Sequence, residues 1–401
     1  DQDQGRAPAR EADSGQFGRP GRDGVGFQLE FSPGGCSCSR GRSCSGPRAR
    51  PRAGARNGEF MSGADVTFRA MGSEVRLIIG GPGPEGGDRD ERDEPDRVAE
   101  DARRFIERYE QCLSRFRPDS ELCALNTDPR EAVPAAPLLR DAVAAGVDAA
   151  RATDGLVDPT LVGEIEAAGY VKSLEGSAPA RLQEALLLAP GRAPAQPSPE
   201  RRWAQVEIDE EAGVIRRPPG IRVDSGGIGK GLAADLLAER LAHQRRFVIS
   251  CGGDLRVGGT DTDTGPFEVL VEHPLTREQD QSLGVHRGAV ATSGLNVRVW
   301  RRADGQFAHH LLDPSTGEPA WTGLVGVTAL APTGVEAETL SKAALLSGPD
   351  GARRLLAASG GLIVHDDGEV ERVGPIAVSP RLTVRVVADL PAPPQKGPVL
   401  A

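Results

Sequence analysis

Cysteine is sparse and scattered in this chain: six in 401 residues, at Cys36, Cys38, Cys44, Cys112, Cys123 and Cys251, with no CxxC pair. That excludes a disulfide framework. The spacing Cys36-x-Cys38-x5-Cys44, without a second ligand cluster, matches no zinc pattern, and the three dispersed body thiols suit a reducing compartment. Long apolar runs are missing too, as are a basic-then-apolar leader and a lipidation box, so no integral membrane segment is expected and the location reads as cytoplasmic. Aromatics are only 4% of the chain. Positive charge is short: the net charge is −10, which argues against a nucleic-acid binder that must displace phosphate counterions. Lysine is nearly absent, with only Lys172, Lys230, Lys342 and Lys396 among 48 cationic residues.

What is present divides in two. Residues 1–60 carry ten arginines against seven acidic residues, so the remainder holds the acidic excess. This first stretch has no apolar period and runs through GRPGRDG and PRARPRAGAR, a composition that cannot bury enough apolar surface to fold. It begins at Asp1, and the first methionine is Met61. It therefore reads as a disordered extension that need not be native, with the folded body starting near Val66.

Along the body, 66–79 alternates apolar and polar on both sides of Met71-Gly72, which predicts two short strands or one bent strand. Helical spacing follows over 98–113, 136–152 and 181–188, with SRFRPDSELCALN as a loop after the first of these. WAQVEID and GVIRRPP read as a hairpin. A helix over 232–243, the strand FVIS, then FEVLVEH, AVATSG, VRVW and LVGVTAL, a helix over 335–346 and a helix–strand pair complete the body. Strands clustered in the second half imply an α+β (mixed α/β) fold rather than a regular βαβ array.

Four segments carry chemistry. Asp224-Ser-Gly-Gly-Ile-Gly-Lys-Gly231 follows a strand and opens a helix; glycines allow close backbone approach, and a helix N-terminus attracts an anion. The shape suits a phosphate, although Lys230 is followed by Gly231, so it is not a Walker A loop. In His309-His310-Leu-Leu-Asp313-Pro-Ser-Thr-Gly317, His309 reads as a packed strand residue. His310, held before an Asp-Pro turn, is the candidate general base. Gly288-Ala-Val-Ala-Thr-Ser-Gly294 brings two hydroxyls to a strand end. Finally, Glu338 and Lys342 are four apart on one helix face: either a surface pair worth about 0.2–0.5 kcal/mol, or a hard oxygen ligand for Mg²⁺ beside the phosphate loop.

Together the segments resemble the FAD:protein FMN transferase (ApbE) family. The motifs are Met71-Gly72-Ser73, Ser114 to Asn126, Asp154 to Thr160, Asp224 to Gly231, Gly252 to Asp254, Ala291 to Gly294 and His310 to Gly317, in the family's order across about 66–366. The resemblance implies an ApbE-like fold of mainly antiparallel or mixed sheets with flanking helices over 61–370, then a C-terminal strand and tail over 371–401. It implies FAD as substrate, Mg²⁺ at its pyrophosphate, and transfer of FMN to a threonine of an acceptor flavoprotein with release of AMP. An FAD pyrophosphatase and a non-catalytic FAD-binding protein are the alternatives. Carried over by motif, Met71, Phe116, Leu156, Val157 and Asp158 contact flavin or adenosine. Asp224 and Lys230 sit on the ribityl and phosphate part, Thr292 joins the cofactor contacts, and His310 is catalytic. The implied metal positions are Gly227, Glu338 and Lys342. The last two stand where the family has Asp and often Thr; an ammonium cannot ligate a cation, so Lys342 either turns away or replaces part of the metal's charge.

Overall fold

The computed structural model describes residues 28–29, 63–80, 95–174, 179–261, 265–279 and 281–376. The tail cysteines Cys36, Cys38 and Cys44 and the chain after 376 lie outside these. Of the first sixty residues only Gln28–Leu29 are described, paired antiparallel with Leu270 and Val269.

An eight-stranded sheet organises the body, every neighbouring pair antiparallel. Its order from one edge is Val370–Val373, Gly361–His365, Leu324–Ala331, Gly288–Gly294, Asp254–Gly258, Arg246–Cys251, Ser73–Gly80 and Ala64–Ala70. The fold is α+β, as its composition of elements predicts. Side-chain alternation sorts the sheet's two faces. Leu77, Ile79, Ile249 and Cys251 pack with the helices, whereas Ile78, Val248, Leu255, Val257 and Val290 pack against Phe267, Val269 and Leu283 of a smaller sheet. The middle layer is thus buried on both sides, and each fully buried Leu or Ile contributes about 1.5–3 kcal/mol.

The helix Pro95–Leu113 shows why the helical layer forms: Ala99, Ala102, Phe105, Ile106, Tyr109 and Leu113 recur at three- and four-residue intervals and are buried. The helices Gly229–Arg240 and Gly334–Leu346 are buried on most of their circumference. Small residues bring the second of these close to the sheet. Ala337 meets Ala289 and Ala291, and the Ser341 and Ser293 hydroxyls are 3.0 Å apart. Its N-terminus is tied by the Glu336 carboxylate, which accepts from the Thr333 N–H at 3.1 Å.

Two local readings are corrected. SRFRPDSELCALN is not all loop: Glu121–Thr127 is helical, with the Ser120 hydroxyl oxygen accepting from the Cys123 N–H and Leu122 and Leu125 buried. A short polar stretch hid this two-turn amphipathic piece. The helix expected over 232–243 runs from Gly229 to Arg240, so Lys230 sits in its first turn rather than in the preceding loop. The predicted hairpin forms between Glu207–Asp209 and Val214–Arg216, and Ala132–Pro134 adds a third strand. At the other hairpin, Met71 and Gly72 link Ala70 to Ser73 with φ of 54° and 66°. Two positive φ values suit the twist of a two-residue hairpin; glycine adopts them freely, whereas the methionine costs about 1–2 kcal/mol.

Candidate active site

The glycine segment is braced from both sides. The Asp224 N–H donates to the Pro159 carbonyl at 2.9 Å, joining the segment to the turn Asp154–Thr160. The Asp224 carboxylate accepts from the Gly226 N–H at 2.8 Å and from Arg115 Nε at 2.8 Å. Arg115 also donates to the Tyr170 carbonyl at 2.8 Å, and its guanidinium lies over the rings of Phe116 and Tyr170 at 4.3 and 4.9 Å. Tyr109 donates to the Gly229 carbonyl at 2.6 Å, fixing the start of the helix.

Around this brace lies a two-lobed cleft. The inner lobe, with an empty volume of about 800 Å³, is lined by Leu156, Val157, Asp158, Asp224, Gly227, Arg298, His310 and Lys342. The outer lobe, about 1810 Å³, is lined by Met71, Phe116, Lys230, Asp224 and Arg298, among others. Arg115, Tyr170, Asp224, Gly226 and Arg298 border both lobes. Segments more than two hundred residues apart therefore meet at one place.

The electrostatics are specific. Lys230 pairs with Asp254, which is 1% exposed; burial pushes the Asp254 carboxyl well above its usual range, and the ammonium pulls it back. Glu338 is also buried, and its carboxylate accepts from the Gly231 N–H and from Lys342 Nζ, each at 3.3 Å. The Glu338–Lys342 pair is an interior pair, not the surface pair its spacing equally allowed. Asp158 accepts at one oxygen from the Thr160 N–H and hydroxyl at 2.7 and 2.6 Å. Its other oxygen is buried without a partner, and burial raises its carboxyl.

The two histidines have different surroundings. His309 is fully buried, edge-on to Trp321 at 4.6 Å, and burial lowers its pKa to about 3. His310 borders the cleft with its Nδ1 unpartnered. Desolvation, then the positive charge of Arg298, and also His309, Lys342 and Lys230, hold its imidazole well below its ordinary pKa, so it is neutral at pH 7. The following Asp313 carboxylate accepts from the Ser315 N–H and hydroxyl at 2.9 and 2.7 Å, forming the predicted rigid turn.

Thr292 does not join this group. Its hydroxyl lies 2.6 Å from that of Thr328, on the opposite side of the strand from Ser293, which meets Ser341 of the helix Gly334–Leu346. Alternation places one of two adjacent hydroxyls toward the helices, and it is Ser293.

The family model for ApbE matches residues 71–364. The chain belongs to the ApbE family. It is 28% identical over 262 residues to the FAD:protein FMN transferase of Haemophilus influenzae, covering 60% of this chain and 69% of that one. It is 27% identical over 266 residues to that of Escherichia coli K12, covering 63% and 71%. The solved ApbE protein of Thermotoga maritima superposes with a TM-score of 0.62 at 27% identity, over 77% of this chain and 96% of that one. The flavin transferase ApbE of Vibrio cholerae, at 19% identity and a TM-score of 0.59, shares the fold. As an ApbE protein the chain is a transferase.

Within that family frame, sequence reading missed Arg115, Tyr170, Arg298 and Asp254. The first and last lie inside quoted motifs, in the runs Ser114 to Asn126 and Gly252 to Asp254. Arg298 follows the ATSG motif by a few residues and had no signal of its own. The Mg²⁺ donor set expected from the resemblance does not fit these residues. Glu338 is its one carboxylate and both its oxygens are engaged; Lys342 offers no lone pair and carries charge of the metal's own sign. No cluster of three or more metal-ligating acids, histidines or cysteines occurs among the described residues.

Proposed function

We propose that this protein transfers FMN from FAD to a threonine hydroxyl of an acceptor flavoprotein and releases AMP. The observation that carries the reading is the meeting, at one cleft, of a glycine segment opening a helix with a neutral, half-buried histidine whose buried Nδ1 has no partner in the protein. The first suits a diphosphate, through close backbone approach and the helix dipole. The second suits a hydroxyl that must lose a proton.

In this reading the threonine oxygen attacks the phosphorus of the FMN half as the bond from that phosphorus to the bridging oxygen breaks. His310 takes the hydroxyl proton, and AMP departs with the bridging oxygen. Placement and electrostatic stabilisation do most of the work in such a transfer. Arg298 borders both lobes and has no ion-pair partner among the described residues, so its charge is available to the developing negative charge on the phosphoryl oxygens. A dianionic diphosphate would also offset the cations that depress His310, moving its pKa back toward that of an effective base. The aromatic wall of Phe116 and Tyr170, with ring centroids 5.3 Å apart, gives the outer lobe a surface on which a planar ring can lie.

The test is incubation of the full chain with FAD and a threonine-bearing acceptor domain, followed by intact-mass measurement. A gain of one FMN residue on the acceptor, abolished by replacing the threonine with valine, is the expected result. Free FMN and AMP with unmodified acceptor would make the protein a pyrophosphatase, and unchanged FAD together with measurable FAD affinity would make it a binder.

A further inference from the structure

The interior pairing of Lys342 bears on how the diphosphate is neutralised. Lys342 borders the inner lobe together with Gly227, Asp224, Arg298 and His310, and its side chain is only 14% exposed. Its ammonium is fixed by Glu338 Oε1 at 3.3 Å, while Glu338 Oε2 is fixed by the backbone of Gly231 in the first turn of the phosphate-facing helix. The cation is thereby anchored to the element that the glycine segment opens. Lys230 cannot serve equally, because its ammonium is engaged by the buried Asp254.

A second cation stands in the same lobe. Arg298 approaches the Tyr170 ring at 5.9 Å and makes no ion pair among the described residues. Each phosphate of a nucleotide diphosphate linkage carries one negative charge, so two fixed monovalent cations can answer the pair. A divalent ion brought to the Glu338–Lys342 position would meet a carboxylate already satisfied on both oxygens and an ammonium repelling it at short range.

We propose that the Lys342 ammonium stands in place of a divalent cation, and that this protein binds the diphosphate of its flavin nucleotide without Mg²⁺. The proposal rests on the flavin-nucleotide reading above. Glu338 is then a positioning residue that holds the ammonium, not a metal ligand.

The experiment is a calorimetric titration of FAD into the full chain, once in EDTA and once in excess Mg²⁺, repeated with Lys342→Thr. The expected result is the same affinity in both buffers for the parent protein. Loss of a charged hydrogen-bonding partner should weaken FAD binding by Lys342→Thr in EDTA by about ten- to a hundredfold. Because the threonine supplies an oxygen and removes the repelling charge, Mg²⁺ should recover part of that loss. Mn²⁺ as a paramagnetic probe should remain free beside the parent protein with FAD. Parent affinity falling tenfold or more in EDTA, or Mn²⁺ bound stoichiometrically to the parent protein with FAD, would overturn the proposal. Absence of FAD binding in both buffers would overturn the flavin reading itself, and this proposal with it. The parent titrations decide the matter even if Lys342→Thr fails to fold.

Discussion

Replacing Lys230 by methionine should reveal how much of the cleft's stability depends on a single buried pair. Asp254 is 1% exposed and its carboxylate is paired with the Lys230 ammonium. Without that ammonium the carboxyl must stay charged in an apolar surround or take up a proton. Removing one member of a buried pair costs about 3–5 kcal/mol, with protonation limiting the loss. A folded body of about 300 residues, at about 2.1 cal/mol/K of unfolding entropy per residue, shifts by about 1.5 °C per kcal/mol, so Lys230→Met should melt about 5–8 °C lower at pH 7. Lys230→Met/Asp254→Asn removes both charges and should recover at least half of that loss. The pH dependence has a definite sign. Burial already raises the Asp254 carboxyl in the parent, and loss of the ammonium that pulls it back raises it further in the single variant, so the folded variant takes up its proton at higher pH than the parent and the deficit shrinks as pH falls. Calorimetric melts of parent, both single variants and the double variant over pH 5–7 measure the coupling. A single variant within about 1 kcal/mol of the parent, or a double variant no more stable than Lys230→Met, would refute the argument that the Lys230 ammonium offsets the cost of burying Asp254. FAD titration adds a separate readout: the double variant regains melting temperature but not flavin affinity if the ammonium also meets the phosphate.

Three further outcomes are expected. His310→Gln should lower FMN transfer by about 10²–10⁴-fold while leaving FAD affinity nearly unchanged, because a general base acts in the transition state; parallel loss of both in titration and turnover assays would make His310 a binding residue. His309, with a folded pKa of about 3 against about 6.5 unfolded, binds fewer protons when folded, so its contribution is complete above the unfolded value and is lost as pH falls. The loss is about 1.4 kcal/mol per pH unit, hence about 2 kcal/mol between pH 6.5 and 5, and melts of His309→Phe should lack this part of the acid slope; identical slopes would show that the ring is protonated in the fold. Thr292→Val removes the 2.6 Å hydroxyl contact with Thr328, so it should cost about 1 kcal/mol of stability with FAD affinity unmoved; a tenfold weaker affinity would return that hydroxyl to the cleft.

Much of the helical layer was legible in the sequence because helical period is a local property: the buried stripe of Pro95–Leu113 is spelled by its own spacing. The glycine segment was legible for a similar reason, since close backbone approach at a helix start demands glycine whatever the rest of the chain does. The strands Asp254–Gly258 and Gln281–Val285 escaped notice. Five residues give too short a period to distinguish from a turn, and pairing with distant strands makes them strands.

Three matters at the site could be decided only by the tertiary structure. The four-residue interval between Glu338 and Lys342 fixes their common face but not whether that face meets solvent or a cleft; the small residues that seat the helix against the sheet turn the pair inward. The adjacent hydroxyls of Thr292 and Ser293 must point to opposite sides of a strand, yet which side faces the site depends on where the helix Gly334–Leu346 packs. Arg115 and Arg298, two of 44 arginines in the chain, carry no local mark of their place. Their charges matter because the fold brings residues 115, 170, 224, 298 and 310 around one cleft, and the electrostatics of that meeting belong to distances in space that spacing along the chain does not encode.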